Sequence, residues 1–239
     1  MSASLSEATM SRLFDKALDS GKLRIHSRTI SNWVTELTAK DGIADFVLTP
    51  TSLSGPRLDW AIRLASSITT PAAASVVAAL DPRRLTSVED IARKSDLAPR
   101  TVRGILARLA SCGVTWGNPS GGVRLLRPIR ESDIELWAYE LKLKDWRHGM
   151  YQALQYRAFA HSVAIVLPKE ASRLIMRRLG QFRAYNVGVL IFDPQAGSLR
   201  VLVRPKRSAP GSLSHYLFAL SRFVRATTSP SSIPLPRIR

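Results

Sequence analysis

Cysteine is almost missing from this chain: Cys112 is the only one in 239 residues. A single thiol excludes an intrachain disulfide and a cysteine-rich zinc site. Its setting, Leu109-Ala110-Ser111-Cys112-Gly113 at the apolar end of a helical pattern, makes it a small buried residue. Histidines number only four (His26, His148, His161, His215), and none has metal-ligand spacing. There is no run of 18 apolar residues and no basic start followed by an apolar core, so a cytoplasmic protein that does not enter a membrane is expected. Phosphate-cradling Gly-x-Gly-x-x-Gly and Walker patterns are missing. So is any Ser-His-Asp or Cys-His grouping at recognisable spacing. Acids are scarce: 18 Asp+Glu face 35 Lys+Arg, for a net charge of +17. That excess predicts a polyanionic partner, most simply nucleic acid. Solubility needs a smaller one. No aromatic stacking platform of the kind RNA-binding modules use stands out.

The chain is 239 residues long and 45% hydrophobic, enough for one large domain or two small ones with real cores. A short amphipathic piece runs from Met10 to Leu23. Ile30, Trp33, Val34 and Leu37 have helical spacing, which predicts a helix over 29–40 ended by Asp41-Gly42. Ile43 to Leu48 reads as a strand and 50–55 as a turn, while 57–63 reads as a second short strand or the start of a helix. Residues 1–66 thus form a first unit, joined through a linker around 67–72 to a second unit ending near 127.

That second unit predicts an apolar helix Ala72 to Leu80, a helix over 87–94 and a third over 98–112. Ser87 is the N-cap of the middle helix, with Asp90 three residues on, and Gly113 closes the third. Val114 to Trp116 and Val123 to Leu125 bracket the glycine-rich tip 117–122, a hairpin. The third helix carries Arg100, Thr101, Arg103 and Arg108, suited to phosphate and major-groove contact, and Arg124 flanks the hairpin. The stretches Val88 to Arg93, Leu97 to Arg103 and Leu106 to Ala110 resemble the winged helix-turn-helix of bacterial DNA-binding regulators. The resemblance implies double-stranded DNA as partner and, because such units often read paired half-sites, a homodimer. A helical bundle that binds protein, or a hairpin used only for packing, is the plainer alternative.

The most informative stretch is Tyr139 to Trp146, followed by Gln152 and Tyr156. On a strand, residues two apart share a face, so Glu140 and Lys142 point one way and Leu141 and Leu143 the other. Gln152 and Tyr156, four apart, share a helix face. An acid and a lysine inside an apolar strand are costly unless charged chemistry uses them, and a divalent metal with a phosphate would do so. The plain alternative is a solvated strand edge with a core tyrosine and a surface glutamine. The ordered set of Glu140-x-Lys142, Gln152-x-x-x-Tyr156 and the apolar strand Val163 to Leu167 is similar to the PD-(D/E)XK nuclease superfamily, in its RecB-like branch. That resemblance implies an α/β fold with a restriction-endonuclease-like αβββαβ core, here joined to the winged helix. It also implies hydrolysis of DNA phosphodiesters, endo- or exonucleolytic, with Mg²⁺ or Mn²⁺. Glu140 would be a metal ligand, Lys142 would orient water or stabilise charge, and Gln152 and Tyr156 would position the reactants.

The family pattern requires a further acid on the strand beside Glu140. Asp133 and Glu135 fail, because along one extended strand seven residues place Asp133 about 23 Å from Glu140. Asp59, in Gly55-Pro56-Arg57-Leu58-Asp59, is taken as the second metal ligand and catalytic acid, with Asp45 as runner-up and Glu36 as the acid of the first helix. Asp59 could equally cap a helix beginning at Trp60. Residues 67–127 would then interrupt a core made of 1–66 and 128–205. Beyond 205 the chain turns basic and Pro/Ser-rich, with one amphipathic helix and a disordered last dozen residues. The competing reading is a winged-helix transcriptional regulator or DNA-binding sensor whose nuclease-like domain is inactive.

Overall fold

The computed structural model describes residues 5–228 apart from 22, 26–27, 31, 54–57, 119 and 131–132. The expected disordered tail and the Gly55-Pro56 turn lie outside the described residues. Ser6 opens α1 (Glu7–Asp19): its hydroxyl accepts the Thr9 N–H, and Met10, Phe14, Ala17 and Leu18 form the buried stripe. A two-residue ribbon, β1 (Arg24–Ile25) and β2 (Arg28–Thr29), leads to the hairpin of β3 (Asn32–Ala39) and β4 (Gly42–Thr49). Four helices follow: α2 (Asp59–Ser67), α3 (Pro71–Ala79), α4 (Val88–Ser95) and α5 (Pro99–Ser111). A small hairpin, β5 (Thr115–Asn118) and β6 (Gly122–Leu125), completes that group. The chain then re-enters the main sheet as β7 (Trp137–Leu141) and continues through α6 (Trp146–Tyr156) to β8 (Ser162–Pro168). A 3₁₀ turn (Lys169–Ala171), α7 (Ser172–Met176) and α8 (Leu179–Ala184) connect to β9 (Gly188–Asp193) and β10 (Ser198–Val203), and α9 (Leu213–Thr227) closes the structure.

The architecture is mixed α/β, built on an open six-stranded sheet in the order β10-β9-β8-β7-β4-β3. The central β7, β8 and β9 are parallel and the outer pairings antiparallel. Parallel strands are covered on both faces, and β8 shows it: all seven of its residues are buried. Val163, Ile165 and Leu167 face the core shared with α6 and α9, while Ala164 and Val166 face the core beneath α1. Among the described residues, no helix is long and apolar enough to cross a membrane.

Two elements differ from the sequence reading. The expected helix 29–40 is strand β3, and its apparent helical spacing has a local cause. Trp33 and its partner Leu48 lie on the α1 side, as does Phe46. Beyond Glu36 and Asp45 the phase slips, so Leu37 and its partner Ala44 join the opposite core. Glu36 sits at φ 51°, a left-handed conformation uncommon outside glycine. One slipped residue turns a period of two into gaps of three, which mimics a helix. Of the two readings of the stretch before residue 63, the helix holds: Asp59–Ser67 is α2, so no strand carries Asp59.

The helix-and-hairpin group forms as its caps predict. Ser87 Oγ accepts the Asp90 N–H at 3.1 Å, and Val102, Leu106 and Leu109 of α5 are buried. At the hairpin tip, Gly117 and Gly122 hold positive φ, and a Cβ on Gly117 would meet the Gly122 carbonyl, so only glycine fits there. This group occupies the chain between β4 and β7, which are themselves paired neighbours. It is fastened by α9, which packs against β3, α2 and α3 and whose Arg225 guanidinium donates to the Ile68 carbonyl.

Candidate active site

Glu140 is 1% exposed near the end of β7, on the α6 side of the sheet. Lys142, two residues on, bridges back to it with Nζ 2.7 Å from Oε1. The other carboxylate oxygen accepts from the Tyr156 hydroxyl at 2.7 Å, and that hydroxyl also lies 2.6 Å from the Ile43 carbonyl. One phenolic proton therefore faces two acceptors. Asp45 enters from β4. The register pairs Phe46 with Tyr139, so the next step along the ladder sets Asp45 opposite Glu140. Its Oδ2 accepts the Leu141 N–H at 2.8 Å. Glu7, in the first turn of α1, accepts the Leu143 N–H at 3.3 Å.

The electrostatics follow from this crowding. Burial pushes the Asp45 carboxyl up to about 6; the Leu141 hydrogen bond opposes this and the Glu140 charge adds to it. Burial works against the Lys142 ammonium, but its bond to Glu140 and the charges of Glu140, Asp45 and Glu7 outweigh that and hold it above its usual value. Burial first, then the bond to Glu140, pushes the Tyr156 phenol up. Tyr156 therefore stays a neutral donor at physiological pH.

Gln152 lies one turn before Tyr156 on α6, and its Oε1 is buried with no hydrogen-bond partner among the described residues. A buried acceptor left open one turn from Tyr156 on α6 is a place for a bound water or substrate group. Gly149 lies a further turn toward the start of α6. A Cβ there would come within 2.9 Å of Lys142 Cγ and 3.4 Å of Ile165 Cγ2, so the bare backbone at this point lets the lysine stem pass. Alanine is about 1 kcal/mol better than glycine inside a helix. Gly149→Ala is therefore expected to leave the melting temperature nearly unchanged, the helix gain offsetting the collision. It should displace Lys142 and lower any activity of the site by roughly 10- to 100-fold, as measured by turnover beside a thermal melt.

The structure brings together Glu140, Lys142 and Tyr156 from the sequence reading with Asp45, its runner-up acid, and sets Gln152 one turn from Tyr156 on α6. It does not bring in Asp59 or Glu36. Asp59 begins α2 and lines a cleft with Trp60, Arg63, Gly113, Leu126 and Arg127. The carboxylates acting on Lys142 are Glu140, Asp45 and Glu7, with Asp59 absent from that set. The reason is local: Asp59 opens helix α2 and so has no ladder to Glu140. Glu36 is exposed on β3, and the α1 acid that reaches this corner is Glu7, which the sequence reading missed. The signal was there in Ser6-Glu7, an N-cap followed by a first-turn acid.

Among the described residues, no three His, Cys, Asp or Glu side chains converge as a metal-holding group. The donor set is two carboxylates, Asp45 and Glu140. That suits a cation such as Mg²⁺, which takes one or two carboxylates and fills its remaining positions with water and substrate oxygens. The high Asp45 carboxyl fits the same idea, since two neighbouring carboxylates gain from a shared cation.

Arg100, Thr101, Arg103 and Arg108 are all exposed on α5. Arg103 makes a 3.4 Å surface pair with Glu89, of little energetic weight. Arg124 is less free: its guanidinium donates to the Pro82 carbonyl at 3.2 Å and sits 5.1 Å above the ring of Trp116, itself 54% exposed. A Ser-His-Asp grouping, not apparent from sequence spacing, does occur in space. His215 Nε2 is 2.7 Å from Asp41 and Nδ1 is 2.7 Å from Ser212 Oγ. Ser212 is the N-cap of α9, and the trio ties that helix to the β3–β4 turn. Comparison of the chain with protein-family models, with curated proteins and with solved structures gives no match.

Proposed function

We propose that this protein is a metal-dependent DNA nuclease of PD-(D/E)XK type whose core is interrupted by a winged helix-turn-helix. One observation carries the reading: Asp45 on β4 faces Glu140 on β7 and Lys142 just beyond its end, with Tyr156 of α6 closing over the carboxylate. The element order supports it. α1, β3, β4, β7, α6 and β8 run helix, strand, strand, strand, helix, strand, the order the family resemblance implies. The group α3–α5 with the β5–β6 hairpin supports it too: three helices precede a hairpin, as a winged helix would need, and the arginines lie on the exposed side of α5.

Asp45 and Glu140 would hold Mg²⁺ or Mn²⁺, which when bound lowers the pKa of a water and neutralises charge on the scissile phosphate. The chain's own residues do the remainder. The Lys142 ammonium keeps one N–H on Glu140 and has two more for a phosphoryl oxygen as charge builds there. Tyr156 fixes the Glu140 carboxylate by its hydrogen bond. The open Gln152 Oε1 accepts from the attacking water and orients it. The α5 arginines hold the duplex by its phosphates and grooves.

A second reading, a DNA-binding regulator with a silent site, draws on the same contacts. Both Glu140 oxygens already have partners, so the site is satisfied without a cation. Cleavage of plasmid and linear duplex DNA in Mg²⁺ or Mn²⁺, with Glu140→Ala alongside, separates the two. Cleavage abolished by the substitution, with DNA binding retained, is the expected result. Salt-sensitive binding with no cleavage in either metal supports the regulator.

A further inference from the structure

The segment that leaves β8 has no place in the reading so far. Residues 172–187 carry Arg173, Arg177, Arg178 and Arg183 and no acid. All four arginines are exposed, and none forms an ion pair among the described residues. Within the segment, α7 buries only Ile175 and holds Leu174 and Met176 outward, 55% and 54% exposed. Two large apolar side chains on one short helix, flanked by unpaired guanidinium groups, are a poor solvent surface and a good one for a partner with stacked apolar faces inside a charged shell. The location is as telling. β7 and β8 are parallel and the Lys142 N–H donates to the Val166 carbonyl at 3.0 Å, so the chain emerging from Pro168 leaves at the end of the sheet that carries Glu140 and Lys142. The return helix α8 is fixed against the start of α6, with the rings of Phe182 and Trp146 5.7 Å apart.

We propose that α7 is a second DNA contact, in which Leu174, on the flank it shares with Arg178, wedges between base pairs at the catalytic end of the sheet while Arg173, Arg177 and Arg178 grip the flanking phosphates. The proposal rests on DNA being the partner but not on the site being active. Charge argues for the occupant: four unneutralised cations without an acid in 16 residues call for a polyanion. The exposed Leu174 beside Arg178 argues for a duplex, because proteins that kink DNA insert leucine or methionine between base steps and hold the bend with basic side chains. Unstacking at this point would open the backbone toward Glu140 and Lys142.

The test uses the full chain in EDTA, so that cleavage plays no part, with a duplex carrying 2-aminopurine at alternate positions of one strand. For Arg177→Ala/Arg178→Ala, the slope of log K against log salt is expected to fall by about 2, near 0.9 per lost phosphate contact. For Leu174→Ser, the slope should stay and the rise in 2-aminopurine fluorescence on binding should vanish. These side chains are exposed, and a thermal melt confirms that each variant folds. Retention of both the slope and the fluorescence rise overturns the proposal. So does unchanged DNA binding together with lost binding to phosphatidylserine vesicles, which would make α7 a membrane-facing helix. Failure of the nuclease reading shows elsewhere, as absence of Mg²⁺-dependent cleavage in the unsubstituted protein.

Discussion

Asp45→Ala is expected to lower divalent-dependent DNA cleavage by about 10³-fold, the scale of losing a principal electrostatic element of a site, while Asp59→Ala stays within about twofold of the parent. The contrast follows from position. Asp45 reaches the Leu141 N–H and shares the field of Glu140 and Lys142, whereas Asp59 begins a helix against the α5 end of the molecule. The same carboxyl sets a pH dependence. Its folded-state pKa is raised, to about 6, so the folded protein holds this proton more tightly than the unfolded chain does. The resulting stability is full below the ordinary carboxylate range and is lost as pH rises toward and through 6. Without metal, the parent should therefore be less stable at pH 7.5 than at pH 5 relative to Asp45→Asn, by up to about 1 kcal/mol after allowance for partial exposure. Affinity for Mn²⁺ should move the opposite way, rising through the same window as the carboxylate ionises. Melting curves at the two pH values and a Mn²⁺ titration check both. Equal cleavage by Asp45→Ala and the parent would remove Asp45 from the site.

Lys142→Met should do two separable things. Activity should drop by about 10³-fold, because among the described residues the Lys142 ammonium is the cation paired with Glu140. Stability should fall by roughly 3 kcal/mol, because Glu140 is left buried with its charge unpaired. The two effects part company in the double variant Lys142→Met/Glu140→Gln. Removing both charges leaves no uncompensated ion, so most of the lost stability should return while activity stays absent. Denaturant melts and turnover on the three variants complete the cycle. A double variant no more stable than Lys142→Met would mean that the pair is not what holds this corner together.

Residues at short, fixed separations were legible before any fold. Glu140 and Lys142 share a face because a strand repeats every two residues, and Gln152 and Tyr156 because a helix returns every four. The structure brings three of them into direct contact through Glu140. The caps and apolar spacing of 87–113 were equally readable, since Ser87 and Gly113 act locally. What could not be read depends on pairing between distant segments. Asp45 meets Glu140 only through the β4–β7 register, across an excursion of nearly ninety residues whose length says nothing about which acid returns to the strand. The slip at Glu36 hid β3 behind a helical rhythm, and that error displaced both neighbours. Once 29–40 was taken as the first helix, Glu36 became its acid, 43–49 its first strand and Asp59 the residue on the second. Each later misplacement descends from one left-handed residue. The outward side chains of α7 were invisible for a different reason: an arginine and a leucine on a short helix look the same in sequence whether they point outward or not.

The excursion between β4 and β7 has a mechanical consequence. A domain appended at a chain end hangs from one tether and can swing. This one leaves the sheet from one strand and returns on the strand hydrogen-bonded beside it, and α9 clamps it to β3. Two anchor points on adjacent rails leave little freedom to pivot. The interval along the double helix between whatever α5 grips and whatever Glu140 cuts would then be a fixed measure, as with a caliper whose jaws are cast in one piece. Products should share one spacing from the bound element, and glycine insertions at either anchor should blur that spacing before they weaken the grip.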